Sequence, residues 1–268
     1  MTVNNLKLPS LPEVADIWQQ TLDWTPTVQQ QEQFQRLYEL ILEGNRQFNL
    51  TRITDPQEFW EKHLWDSLRG IAPFLRDGGV GGVGEAGEGN TSLSPSSSPT
   101  SLSFIDIGTG AGFPGIPVAI AVANSTVTLL DSTQKKITFV EKIRAALDLT
   151  NVKTLTGRSE EVGQQPQHRQ TYDVALIRAV GTASVCAEYA LPFLKQGGLA
   201  VIYRGNWTEE ETKALENAVN QLGGVIESIE KFTTPLTDSI RHCLYLRKKT
   251  TTPVQFPRPV GIPTQRPL

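Results

Sequence analysis

The run Phe104-Ile105-Asp106-Ile107-Gly108-Thr109-Gly110-Ala111-Gly112-Phe113-Pro114-Gly115 carries the strongest chemical signal in the chain. An apolar stretch leads into a glycine turn, and a helix opens near Pro114. Glycine lets the backbone turn tightly and lets a ligand approach main-chain amides at the helix N-terminus. Asp106 sets a carboxylate at the end of that stretch, where it can hold a cationic ligand directly or through water. A second carboxylate, Asp131 in Leu129-Leu130-Asp131, can accept hydrogen bonds from both hydroxyls of a ribose. A third stretch ends at Thr156-Gly157, followed by Arg158-Ser159-Glu160-Glu161. Main-chain amides near Ser159 and Glu160 can read the edge of an adenine. A fourth, over residues 172–177, delivers Arg178 to the same edge.

Two ligand classes compete for the glycines. Gly110, Gly112 and Gly115 satisfy the dinucleotide pattern G-x-G-x-x-G. Gly108, Gly110 and Gly112 satisfy G-x-G-x-G behind an acidic residue, the pattern of S-adenosylmethionine sites. Asp106 decides between them: the aminopropyl ammonium of S-adenosylmethionine offers a positive charge, whereas a pyrophosphate would be repelled. An NAD(P)-linked oxidoreductase is disfavoured further by the lack of a catalytic Tyr/Lys or His relay. Arg178 and the intact glycine loop speak against a non-catalytic RNA-binding assembly protein.

These residues need a scaffold that brings strand ends together. Short β-rich runs at residues 103–107, 127–130, 152–156, 172–177, 199–203, 225–230 and 242–246 alternate, over the first five, with helical patterns such as 133–149 and 182–194. That alternation predicts right-handed βαβ crossovers and a mostly parallel, doubly wound α/β sheet. Ligands of such sheets bind outside the C-terminal ends of the strands. Upstream, Phe34, Leu37, Tyr38, Ile41, Leu42 and Phe48 recur at helical spacing, and Asp55-Pro56 opens a second helix with Phe59, Leu64, Leu68, Ile71 and Leu75 on one stripe. Residues 1–76 are expected to form an N-terminal helical cap. Residues 77–101, dense in glycine and serine, cannot bury enough apolar area to offset their ordering entropy and are expected to be a disordered insert. The catalytic domain then covers 102–249, and a basic, proline-rich tail covers 250–268.

The composition narrows the class. At 38% hydrophobic residues a large core is available, but the longest purely apolar stretch, residues 118–123, is about a third of a membrane helix. No basic cluster followed by an apolar run marks the start as a secretory signal. Cys186 and Cys243 are the two cysteines, too few for a disulfide scaffold or a cysteine-rich zinc site, and a reducing cytoplasm is expected. A net charge of −3 excludes a protein that coats nucleic acid but leaves room for a locally basic site.

The glycine loop, Leu130-Asp131-Ser132 with Lys135-Lys136 behind it, Arg158-Ser159-Glu160-Glu161 and Ile177-Arg178-Ala179 occur together with further elements. These are Asn49-Leu50-Thr51, Lys62-His63-Leu64-Trp65-Asp66-Ser67 and a tail from Thr252-Pro253 through Phe256-Pro257-Arg258 to Pro267-Leu268. In this the chain resembles the bacterial glucose-inhibited division protein B family, which methylates N7 of a guanine in 16S ribosomal RNA. The Gly-Phe-Pro-Gly extension and the His-x-x-Asp-Ser element are far more specific than a generic glycine loop. The resemblance implies a class I S-adenosylmethionine-dependent methyltransferase fold, a Rossmann-like seven-stranded doubly wound sheet with an N-terminal helical extension. It implies cofactor contacts at Gly108, Phe113, Ser159, Glu160 and Arg178, beside the Asp106, Gly110, Gly112 and Asp131 read from the residues. It also sets His63 near the acceptor pocket.

Guanine N7 carries an in-plane lone pair, so no general base is needed. Catalysis is expected to be alignment, with Arg178 and His63 as the residues that carry it. The expected partner is 16S ribosomal RNA or the small ribosomal subunit, met by a monomer with no metal and no membrane. RNA contacts are expected at Asn49, Lys135, Lys248, Lys249 and Arg258. Five prolines keep the basic tail extended, a shape that suits a phosphate backbone, with Phe256 available for stacking. His168, His242 and Cys186 read as structural.

Overall fold

The seven expected strands form one sheet in the order β3-β2-β1-β4-β5-β7-β6 in a computed structural model that describes residues 9–48, 51–75 and 101–268. Asn49 and residues 77–100 of the Gly/Ser-rich stretch lie outside the described residues. The strands are β1 (Leu102–Ile107), β2 (Ser125–Asp131), β3 (Val152–Thr156), β4 (Tyr172–Arg178), β5 (Leu194–Arg204), β6 (Gly224–Thr233) and β7 (Ile240–Lys248). The first five pair in parallel, and β7 runs antiparallel to both of its neighbours. This is the Rossmann-like, doubly wound sheet expected from the sequence.

Side chains alternate between its two faces. Phe104, Val127, Leu129, Val174, Leu176 and Val201 look one way, under α6 (Gly115–Ala121) and α7 (Gln134–Ala146). Ile105, Ile107, Leu130, Ala175, Ile177 and Ile202 look the other way, under α9 (Ala183–Ala190) and α10 (Glu209–Gln221). Chemistry-bearing residues therefore collect at the ends of strands that are otherwise apolar on both sides.

The N-terminal segment is helical: α1 (Ala15–Leu22), α2 (Val28–Phe48), α3 (Pro56–Phe59), a π-helix (Trp60–Trp65), α4 (Asp66–Arg69) and α5 (Ala72–Leu75). Asp55 caps α3 as expected, accepting from the amides of Gln57 at 2.9 Å and Glu58 at 3.0 Å, with Pro56 at the first helical position. The stripe Phe59, Leu64, Leu68, Ile71 and Leu75 is buried throughout. These helices do not form a core of their own. Trp18, Phe34, Phe59 and Leu64 share one apolar cluster with Phe104, Phe113, Ile116 and Val127 of the sheet side. Glu61, fully buried in the π-helix, accepts from the amides of Leu236 (2.6 Å) and Thr237 (3.0 Å) and so pins the turn between β6 and β7 to the same segment.

The π-helix was not foreseen, because the apolar stripe reads as one continuous α-helix. The five-residue step from Phe59 to Leu64 is the one place where a wide turn shows. No helix among the described residues is long and apolar enough to cross a membrane.

Candidate active site

β1 ends at Ile107, and the loop that follows holds three glycines in the left-handed region, Gly108 at φ +74°, Gly110 at +60° and Gly112 at +102°. Side chains are disfavoured there. The loop is tied to β2: the amides of Gly108 and Thr109 donate to the Leu130 carbonyl at 2.8 and 3.0 Å, and that of Gly110 to Asp131 Oδ2 at 3.0 Å. A Cβ on Gly108 would lie 2.7 Å from Val180, whereas one on Gly110 would meet nothing nearer than the Gly108 carbonyl at 3.9 Å. Gly110 thus presents bare backbone with free space beside it.

Asp131 stands on the wall of a cleft of about 280 Å³. Its Oδ1 accepts from the Thr133 amide at 2.9 Å, and Oδ2 faces Gly110 and the Lys136 ammonium at 3.5 Å. One carboxylate therefore braces the turn that leads into α7, anchors the glycine loop and belongs to a residue that lines the cleft. Across from it, α8 (Ser159–Val162) opens at the end of β3. Ser159 donates to Glu160 Oε2 at 3.3 Å, while Glu160 Oε1 accepts from Tyr189 Oη at 3.0 Å and the Gly261 amide at 3.1 Å. Tyr189, Val180 and Thr264 complete the lining. Sequence reasoning missed all three.

Asp106 does not stand on the open wall. It is fully buried, and its Oδ2 ties the loop together by accepting from Thr109 Oγ1 at 2.6 Å and the Gly115 amide at 2.8 Å. Oδ1 has no hydrogen-bond partner. Burial pushes its pKa up to about 6, against the opposing pull of those hydrogen bonds and of Arg178.

Arg178 ends β4 as expected, but its guanidinium turns towards the N-terminal helices. It donates to the Lys62 carbonyl and to Asp66 Oδ2, both at 3.1 Å, and lies 3.5 Å from His63 Nδ1. The His63 ring stacks on Phe113 with centroids 4.4 Å apart and planes 13° off parallel, and its Nε2 is 2.9 Å from Thr51 Oγ1. Burial, then the Arg178 and Lys62 charges, lower the His63 pKa to about 3, so the ring is neutral near pH 7. It accepts from Arg178 and donates to Thr51. Asp66 is pushed in the protonated direction by burial and held back by Arg178. The structure thus gathers His63, Phe113, Asp66 and Arg178 into a second cluster on the far side of the glycine loop.

The tail departs from expectation. Lys248 is only 1% exposed and donates to the Leu191 carbonyl at 2.6 Å and to Thr252 Oγ1, so it cannot reach RNA. Burial, with the nearby Arg169 charge, lowers its pKa to about 7. Arg258 is spent on the fully buried Glu188, to which its amide, Nε and Nη2 all donate at 2.6 to 3.1 Å. Phe256 is buried in the core rather than free to stack. Lys249 is exposed, but β7 pairs Arg247 with Leu199 and His242 with Arg204, which carries the chain after β7 to the sheet edge opposite the cleft. Of the expected RNA contacts that are described, Lys135 is exposed in the first turn of α7, next in sequence to Lys136, which is the lysine that lines the cleft. His168 and His242 are structural, bonded to Tyr172 Oη at 2.9 Å and to the Gly205 carbonyl at 2.5 Å.

Comparison with known proteins places this geometry in a family. The model of the GidB family, described as rRNA small subunit methyltransferase G, matches residues 30–89 and 91–243. Proteins named ribosomal RNA small subunit methyltransferase G from Nostoc punctiforme and Trichormus variabilis are 72% and 67% identical to this chain, each over 96% of it and 98% of the relative. The protein of that name from Trichodesmium erythraeum is 52% identical over 100% of this chain and 98% of its own. Nothing in these matches supports an oxidoreductase. The loop, the carboxylates and the Arg178 cluster are therefore those of a member of the GidB family, the rRNA small subunit methyltransferase G proteins, to which this chain belongs.

Proposed function

We propose that this chain transfers a methyl group from S-adenosylmethionine to N7 of a guanine in 16S ribosomal RNA. What supports this most is the near full-length match to proteins named ribosomal RNA small subunit methyltransferase G. The residues fit the cofactor. Gly110 leaves room for a ligand against bare backbone, Asp131 can take two ribose hydroxyls, and the free Oδ1 of Asp106 suits the aminopropyl ammonium. When bound, the cofactor supplies an electrophilic methyl group on a sulfonium.

The chain's own task is then to align a purine with that methyl. N7 has no proton to lose, and a neutral His63 stacked on Phe113 is a flat apolar surface rather than a base. Arg178 fixes that surface by tying strand β4 to the helix that carries His63, and alignment of this kind is worth several powers of ten in rate. Lys135, exposed on α7 next to the cleft-lining Lys136, serves a phosphate. The reading extends to a monomer working in the cytoplasm on rRNA or on the small subunit.

The deciding assay is transfer of tritiated methyl to 30S subunits and to free 16S RNA, followed by nucleoside mapping. Label in 7-methylguanosine is expected. Label in another nucleoside, or none, would reject the proposal.

A pH dependence follows from Asp106. Its carboxyl has a folded pKa of about 6 against 3.8 unfolded. The proton is therefore bound more tightly in the folded chain, and that stabilisation is present below pH 3.8 and lost as pH rises through about 6. Only the ionised form attracts an ammonium. Affinity for S-adenosylmethionine should rise by up to about tenfold per pH unit below 6 and level off above it. Calorimetry from pH 5 to 8 will show this slope in the native chain and a flat profile in Asp106→Asn. A flat native profile would remove Asp106 from the cofactor site.

A further inference from the structure

We infer that the C-terminal tail is the outer wall of the cofactor cleft, with Glu160 as the joint that couples tail docking to cofactor binding. The inference rests on the cofactor reading above. After β7 the chain stands at the sheet edge opposite the cleft, yet Thr264 lines that cleft, so the intervening residues must cross the molecule. They have little secondary structure to fix them, and side chains from the body of the protein do it instead. Arg169 donates to the carbonyls of Thr252 (2.9 Å) and Phe256 (2.7 Å), and Gln164 to those of Val254 (3.2 Å) and Pro257 (2.9 Å). Glu188, at 0% exposure, binds Arg258 through main chain and side chain together.

Burying a carboxylate is costly unless it is fully paired, and breaking such a pair costs more than the pair itself contributes. A latch of this kind fixes the tail's position rather than leaving it free to follow RNA. The last step of the crossing is the Gly261 amide on Glu160 Oε1. Gly261 takes φ +81°, which turns the chain into the short helix α11 (Ile262–Gln265) that carries Thr264. The same Oε1 binds Tyr189, Oε2 accepts from Ser159, and Ser159, Glu160 and Tyr189 all line the cleft. A ligand that orders Glu160 therefore orders the tail, and a docked tail pre-sets Glu160 for the ligand. Such coupling is reciprocal.

Two substitutions in the full chain test it. Glu188→Gln lies outside the cleft and weakens the latch. Thr264→Arg, at an exposed position, cannot disturb the core and places bulk at the wall. Calorimetry with S-adenosylmethionine should give roughly tenfold weaker binding for each, within the usual range of coupling between sites. Hydrogen exchange over residues 257–265 should slow when the native chain binds S-adenosylmethionine and should be faster in Glu188→Gln without it. Native affinity in both variants, or tail exchange indifferent to S-adenosylmethionine, would overturn the inference while leaving the cofactor reading intact. Failure of the native chain to bind S-adenosylmethionine at all would overturn the cofactor reading and this inference with it.

Discussion

Arg178→Lys will lower single-turnover methyl transfer by roughly 10²-fold while leaving most of the fold's stability in place. A lysine ammonium keeps a positive charge near Asp66. It is a point charge without the planar fork that lets Arg178 serve the Lys62 carbonyl and Asp66 Oδ2 together, each at 3.1 Å. The His63 ring, 3.5 Å from the guanidinium, then loses one of its two polar supports, and with it the fixed stacking on Phe113. Arg178→Leu will do more damage of another kind. It strands Asp66, whose side chain is 11% exposed, without its cation, and such losses run to about 3–5 kcal/mol. For a chain of this size that lowers the melting temperature by on the order of 10 °C. The double variant Arg178→Leu with Asp66→Leu should recover most of that stability and none of the rate. A Lys variant that reacts at the native rate would show that Arg178 only holds the helices to the sheet.

Asp131→Ala is expected to weaken S-adenosylmethionine binding by roughly two to four orders of magnitude. Two hydrogen bonds to a charged group are worth about 1.5–3 kcal/mol each, and every 1.4 kcal/mol is about tenfold. The same change releases the Gly110 and Thr133 amides, so the glycine loop loosens at the point where the ligand approaches backbone. Asp131→Glu keeps the charge but pushes it about a bond length too far into the cleft, and it should recover stability better than affinity. Calorimetry paired with thermal melting separates the two effects. An Asp131→Ala chain that binds within threefold of native would take the ribose off this residue.

Some of this architecture is legible in the sequence for clear physical reasons. Strands buried on both faces, such as β1, β2 and β4, are continuous apolar runs, so they can be located, and with them the end positions of Asp131 and Arg178. Where a side chain goes next is decided by distant residues. Arg178 turns towards Lys62 and Asp66, more than a hundred positions upstream, and nothing near residue 178 encodes that. The tail misleads for the same reason: its cations look free because their partners lie elsewhere, Glu188 seventy residues before Arg258 and a bare carbonyl for Lys248. A usable signal does exist. Glu188 sits in the otherwise apolar run Val185-Cys186-Ala187-Glu188-Tyr189-Ala190, and a carboxylate on so apolar a helix must be paired with a cation from somewhere.

The apolar cluster shared by the N-terminal helices and the sheet has a consequence during synthesis. Trp18, Phe34, Phe59, Trp60 and Leu64 leave the ribosome well before Phe113, Ile116, Val127 and Phe139, with which they share one buried cluster. At ordinary translation speeds that gap lasts on the order of ten seconds. For that interval Trp18 has Phe34 and Trp60 to pack on and Phe59 has Tyr38, but the sheet-side half of their cluster is still missing. Incompletely covered apolar surface of this kind is what chaperones bind, and every residue inserted between Leu75 and Leu102 lengthens the wait.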